Sequence, residues 1–488
     1  MRQLGIILAL LAAPLAQTAA PKVGQYVLLK QSDVAVIRDF KVQPPEVLDC
    51  SRDFAAEVVD VQGDWLWIYT PRGMGWVQRS YVLLPDDAVA FFSNQINAKA
   101  ASAEAWGRRG VARYLLGDAA GILDLTEANR LSPGDARWLY HKARYFATAA
   151  DEGRNGLSPP AKEADIALLL ERAMAEATRA AGLEPSNAAI AVLQGSIWLQ
   201  RGNVEKVNES AEAALGLDPG CADAYCLRAM VCAKAGAYDR ALADYGKAIE
   251  LNPGHGDAFN NRMLLQWQLQ AFDRVIEDAT ACLRLNVRPA QAHRFRGLAR
   301  YAQRDADKAI ADLDVSLQLE PARKDSLMAR AGARQMKGEL AAAAADMERA
   351  AASAPDDLTI PPLLAYGQMK CGNWTGARVT LEQWAARAPQ DPRPHGGLAH
   401  LYAPCPDSSL RDGKKAVEHG QRACELSEWK NPQALHTLAT AYAEAGDFAS
   451  AIRCENTALQ DATFNAHMGA EAQVRLQLYE AGQAFHQK

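Results

Sequence analysis

The sequence predicts a multidomain protein: a small all-β module followed by an all-α solenoid of stacked helix pairs. Three observations lead there. Between Val23 and Leu84, apolar residues alternate with polar ones and are broken by turn residues. From Ala103 onward the chain repeats, with Pro219 and Pro253 thirty-four residues apart and Pro321 and Pro355 thirty-four apart. The chain has 488 residues, too long for a single core, since cores stop growing near ~250 to 300 residues.

Composition narrows the partners. Hydrophobic residues make up 49% and charged residues 23%, and a formal net charge of -5 leaves no basic field for nucleic acid. Residues 1–20 read as a secretory signal, with Arg2 as the positive end, Leu4 to Leu15 as the apolar run and Ala16 to Ala20 as the small-residue exit. The expectation is an exported protein, periplasmic or secreted. That run is too short to span a bilayer, and no later stretch of ~18 residues lacks charges. Nine cysteines scattered along the chain describe no disulfide framework, and Cys405 with Cys424 is the one pair to test for a bridge.

Residues 21–86 form the β module. Val58, Val59 and Val61 lead into Gly63-Asp64 and then into Trp65 through Tyr69. Glycine tolerates the positive φ of a tight hairpin, so Gly63-Asp64 is the turn. In the following run Leu66 and Ile68 alternate with Trp65, Trp67 and Tyr69, so one set faces inward and the other outward. Gly63-Asp64-Trp65, then Gly75-Trp76-Val77 and Ser80-Tyr81-Val82, resemble the last strands of the bacterial SH3 domain family in order and spacing. The resemblance implies an SH3-like barrel whose outward aromatics, here Trp65 and Tyr81, form a peptide groove. Gln78 stands where the eukaryotic pattern has its groove proline, which argues against polyproline ligands. The competing reading has these aromatics covering the barrel or packing on the next domain.

A connecting helix is expected over 87–102, repeats over 103–465 and a capping helix with its tail over 466–488. Aligned on the prolines, the repeats place small residues at recurring sites: Gly195, Ala229, Gly297 and Ala331; Ala241, Ala309 and Ala343; Ala214, Ala248 and Ala350. This pattern is similar to the tetratricopeptide family, which implies a superhelical solenoid of about ten helix-turn-helix repeats. Two repeats depart from the period, with insertions around Gly153 to Pro160 and Pro404 to Gly413. Arg109, Arg228, Arg262, Arg296 and Arg330 share one repeat position, and Asp124, Asp244, Asp278, Asp312 and Asp346 another. An identical pair in every repeat suits a structural ladder of forked ion pairs rather than catalysis.

In that family the first helix of each repeat lines the concave face. The corresponding positions here are Met230, Leu264, Trp267, Leu298, Tyr301, Met328, Met336, Tyr366 and Met369, a stripe that a protein or peptide partner would bury. The alternative is that these side chains pack among the helices. The family's clamp for a terminal carboxylate is absent, its asparagine position being filled by Met230, Leu264 and Leu298. No metal helix, nucleophile elbow or phosphate loop occurs, and His395 with His400 are poorly spaced for one metal. The expectation is therefore a non-enzymatic scaffold without cofactor or metal. The alternative is an accessory or regulator of cell-wall chemistry, with the SH3-like module binding a cell-wall peptide.

Overall fold

The computed structural model describes residues 20–23, 25–30, 36–39, 46–48, 55–70, 73–98, 102–155 and 162–486. Residues 1–19, on which the expected secretory signal falls, Cys50 and the Gly-Pro stretch at 156–161 lie outside them. The chain divides into two compact units, Met1–Ala292 and His293–Lys488.

The N-terminal unit begins with seven strands: β1 (Tyr26–Leu29), β2 (Val36–Asp39), β3 (Glu46–Leu48), β4 (Ala55–Gln62), β5 (Trp65–Thr70), β6 (Gly73–Gln78) and β7 (Val82–Leu83). All pairings are antiparallel, in the order β3-β2-β6-β5-β4-β1-β7. Alternation in the sequence becomes a two-faced sheet, with Val27, Leu29, Val58, Leu66, Ile68 and Val77 in one apolar cluster. Gly63 takes φ +61° in the β4–β5 turn, the conformation that selects glycine there.

The expected SH3-like barrel does not close. β3 and β7 stand at opposite ends of the strand order, and among the described residues no ladder joins them. The physical reason is length: closure needs long, tilted strands in staggered register, whereas β3 has three residues and β7 two. The sheet also carries one irregularity. Val58 opposes Ile68 but Asp60 opposes Trp67, so Val59 is the extra residue of a β-bulge and leaves the ladder.

Helix α1 (Pro85–Asn97) follows, and then ten helix pairs among the described residues. The N-terminal unit holds α2 (Ala103–Leu115) with α3 (Gly121–Leu131), α4 (Ala136–Asn155) with α5 (Glu163–Leu183), and α6 (Ala188–Gln200) with α7 (Val204–Leu217). It continues with α8 (Ala222–Lys234) and α9 (Tyr238–Leu251), then α10 (Gly256–Gln268) and α11 (Phe272–Arg284). The division between units falls in α12 (Pro289–Ala302), which pairs in sequence with α13 (Ala306–Leu319). The C-terminal unit continues with α14 (Lys324–Met336), α15 (Leu340–Ser353), α16 (Ile360–Lys370), α17 (Trp374–Arg387), α18 (Pro392–Tyr402) and α19 (Gly413–Leu426). It ends with α20 (Pro432–Glu444), α21 (Phe448–Leu459) and the long terminal α22 (Ala462–Glu480). The first insertion lengthens both members of the α4–α5 pair, and the second forms the link between α18 and α19.

Small side chains set the spacing of the pairs. Ala229, Ala241, Ala248, Ala309, Ala331, Ala343 and Ala350 are wholly buried. A Cβ added to Gly297 would stand 2.8 Å from Leu313, so the α12 backbone comes too close for any larger residue. Between the two helices of a pair the chain needs one left-handed residue, at positions 202, 236, 270, 304, 338 and 372. Gly202, Gly236, Gly338 and Gly372 fill four of them, while Gln270 (φ 58°) and Arg304 (φ 62°) adopt the same conformation with a side chain. Asn203, Asp305, Asn373 and Asp447 then cap the second helices by accepting backbone N–H bonds.

Candidate functional site

First helices touch first helices: α2 meets α4, α4 meets α6, α6 meets α8 and α8 meets α10 in the N-terminal unit. They make one continuous face, and the ladder behind it holds them in place. Arg109, Arg228, Arg262, Arg296 and Arg330 each fork onto the aspartate of their own repeat through two bonds of 2.5–2.9 Å. A second arginine one turn on, Arg113, Arg300 or Arg334, completes Asp124, Asp312 and Asp346 at 2.6–2.8 Å. Asp278 has Gln266 at that place, and burial pushes its carboxyl up despite Arg262. Arg228 and Arg330 also reach back sixteen residues, to Glu212 at 3.1 Å and Asp314 at 2.6 Å. The recurrent pairs are thus structural, with each carboxylate forked by an arginine of its own repeat.

The nine stripe residues do not share one environment. Met230, Met328 and Met369 are half-buried and pack into helix cores. Trp267, in the N-terminal unit, tilts against Phe272 with ring centroids 5.6 Å apart. Tyr301, in the C-terminal unit, sets its hydroxyl end against Gly332, where an added Cβ would come 2.3 Å from its Oη. Leu264 and Leu298 are half-buried. Met336 on α14 and Tyr366 on α16 are open, with 46% and 54% of their surface exposed. Lys370 places its ammonium 5.4 Å from the Tyr366 ring, the approach of a cation to an aromatic face. In the β module Tyr81 packs on the β core and Trp65 is half-buried.

Sequence reasoning missed what the β module touches. Val59, turned out of the ladder by the bulge, lies against Gly254, where an added Cβ would come 2.8 Å from its Cγ2. Val23 packs on the cluster of Phe259, Cys282 and Leu285. The Tyr69 hydroxyl is pushed well above its ordinary value, first by burial and then by the charges of Asp223 and Cys221 at the start of α8. Burial alone would lower the Arg144 guanidinium on α4, yet Tyr140, Tyr114, Tyr26 and Asp223 carry it upward. Its Cζ stands 5.6 Å from the Tyr114 ring and 5.8 Å from that of Tyr140. His255 accepts the Ala258 N–H through Nδ1, so its Nε2 carries the proton and faces Asp223 Oδ1 at 3.2 Å. The module therefore lies against α2 and α4 and against the starts of α8 and α10 in its own unit. No signal in the sequence marks this, because nothing periodic links Val59 to Gly254.

The histidine and cysteine expectations resolve in the C-terminal unit. His395 does not face His400; its Nδ1 lies 3.1 Å from Nδ1 of His419, one ring nitrogen donating to the other. Burial holds His400 down at about 4, helped by Arg475 and His436. Cys405 and Cys424 are both buried free thiols. Among the described residues no cluster of three metal-ligating side chains occurs, and no helix is long and apolar enough to cross a membrane.

Two segments, residues 222–255 and 334–401, match the tetratricopeptide repeat family. The chain carries tetratricopeptide repeats. The helical array is similar to a tetratricopeptide repeat protein from Parabacteroides merdae ATCC 43184, at 15% identity over 52% of this chain and 98% of that one, with a TM-score of 0.35. It is also similar to MamA from Desulfovibrio magneticus RS-1, at 17% identity over 36% and 94%, with a TM-score of 0.31. Yeast Tom70 is similar at 16% identity over 82% and 92%, with a TM-score of 0.30. Comparison with curated proteins finds no match.

Proposed function

We propose that this protein is a non-enzymatic scaffold, exported to the cell envelope, that holds a protein or peptide partner on the first-helix face of its tetratricopeptide array. Arrays of this kind are in general protein-interaction scaffolds. The observation that carries the reading is the exposure of Met336 and Tyr366 on first helices, large apolar side chains that the fold itself leaves uncovered. Export rests on the charged start, apolar run and small-residue exit of residues 1–20. An SH3-like role for the β module rests on the Gly63-Asp64-Trp65 and Gly75-Trp76-Val77 segments alone.

The test uses full-length protein carrying Met336→Ser and Tyr366→Ser as bait in envelope extract, beside the wild type. Expected is loss of a captured protein with an unchanged melting temperature. The same captured set from both baits, or a large drop in melting temperature, contradicts the reading. Amino-terminal sequencing of protein from its host tests export, and an intact Met1 on cytoplasmic protein would refute it.

A further inference from the structure

The β module meets the helices along two unlike borders, both within the N-terminal unit. On one side the contact is dry. Leu28 of β1 and Leu83 of β7 share a single apolar cluster with Ala88 and Phe92 of α1, Val111 of α2 and Trp138 of α4, all essentially without exposed surface. The buried Arg108 of α2 donates to the Leu29 carbonyl oxygen, tying β1 to the first repeat. Burial of that much apolar surface, pinned by the hydrogen bond from Arg108, makes a permanent junction.

On the other side the border is largely polar. It consists of Tyr26, Tyr69, Arg144, Asp223 and His255, with two apolar plugs, Val59 on Gly254 and Val23 on Phe259. Asp223 keeps 46% of its side chain open and Tyr26 is exposed at the rim of this border. Interfaces between domains that are polar and small allow relative motion, whereas large apolar ones do not. The plug itself comes from a bulge, a device that re-aims one side chain without disturbing its sheet. Val58, its neighbour, stays in the β core, so Val59 is free to serve the contact.

We propose that the β module is a hinged lid, fixed along α1, α2 and α4 and opening from the starts of α8 and α10, so that a partner reaches this part of the first-helix face only when the lid lifts. The proposal deepens the scaffold reading, and its test needs no partner, so either can fail while the other stands. Three forms of the full-length chain are compared by amide hydrogen exchange of the turn 252–257: wild type, Val59→Glu, and the oxidised double variant Val59→Cys with Gly254→Cys. Local opening sets the exchange rate, so Val59→Glu should raise it about tenfold or more, and the bridged form should lower it below wild type by a similar factor. The equivalent turn at 320–325, exposed from 320 to 324, serves as the open reference. Exchange in residues 64–69 reports whether Val59→Glu spares the sheet; if it does not, the bridged form decides. Equal exchange at 252–257 in wild type and the bridged form overturns the lid, as does failure of the 59–254 bridge to form in the folded chain.

Discussion

Two turns at the same place in their repeats, Asn252 to Gly256 and Glu320 to Lys324, differ in exposure everywhere but at their prolines. In the first, Asn252 is 2% exposed, His255 is 8% exposed, and Gly254 and Gly256 are buried. In the second, all five residues are exposed. Each turn follows the same helix geometry and carries a proline, Pro253 or Pro321, at the same register. The cover of the first turn has two sources: Val59 of the β module lies over Gly254, whereas Val287 of the following turn lies over Gly256 and His255 faces Asp223 of α8. One protein thus presents a covered stretch of repeats and a bare one built on a common plan.

The common plan is the part to break first. If the two stretches differ only in what covers them, removing a saturated carboxylate should cost the same in both. Asp124 accepts from Arg109 and Arg113, and Asp346 from Arg330 and Arg334, in matching geometry. Asp124→Ala and Asp346→Ala should each destabilise by about 3–5 kcal/mol, because two guanidiniums are left without their partner in a buried site. Denaturant melts check this, and a clear inequality between the two would show that the plan itself differs.

The covering is tested next. Gly254→Leu forces a side chain into the space of Val59 and should cost about 1–3 kcal/mol, while Ala322→Leu at the equivalent open position should stay within about 0.5 kcal/mol. Equal effects would mean that the contact with Val59 contributes nothing. Acid sharpens the comparison further. Burial holds His141 at about 3 in the covered stretch, with Arg144 and Arg137 adding to the effect, and His400 at about 4 in the bare one. Burial also lowers His395 and His419, which face Asp391, Glu418, Glu382, Lys415 and Arg422. A histidine whose folded pKa is depressed stabilises the fold above its unfolded value and loses that contribution as pH falls. Stability should decline as pH drops below ~6.5, and His141→Gln or His400→Gln should each flatten the decline when melting is followed from pH 7.5 to about 4.

The smallest expected effect sits in the turns inside the pairs. Gln270 and Arg304 hold the left-handed conformation that glycine holds at 202, 236, 338 and 372. Gln270→Gly and Arg304→Gly should each stabilise by up to about 1 kcal/mol in thermal melts, the backbone strain relieved exceeding the added chain entropy. A destabilisation would show that these side chains carry contacts of greater worth.

The helix pairs were legible because their signals are local and repeated: prolines thirty-four apart, small residues at fixed offsets, one arginine and one aspartate per repeat. The stripe was legible only in part, since residue type does not tell Met328, packed in a core, from Met336, open on the same helix. The covered face was not legible at all. It depends on a bulge at Val59 meeting a glycine far along the chain, which no spacing encodes. Closure of the β module failed for a related reason, because strand length, not motif, decides whether a sheet can meet its own edge.

The backward reach of the ladder arginines bears on how such a chain can grow. Arg330 needs Asp314 and Arg228 needs Glu212, yet the same position holds Gly246 before Arg262 and Thr280 before Arg296. Excising residues 290–323 would keep the thirty-four-residue rhythm but set Arg330 behind Thr280, leaving one guanidinium nitrogen without its acid. Repeats in this chain are therefore coupled to their neighbours: loss of a repeat should be tolerated best when it carries a donor and the preceding acceptor together, and the order of the array is part of its chemistry.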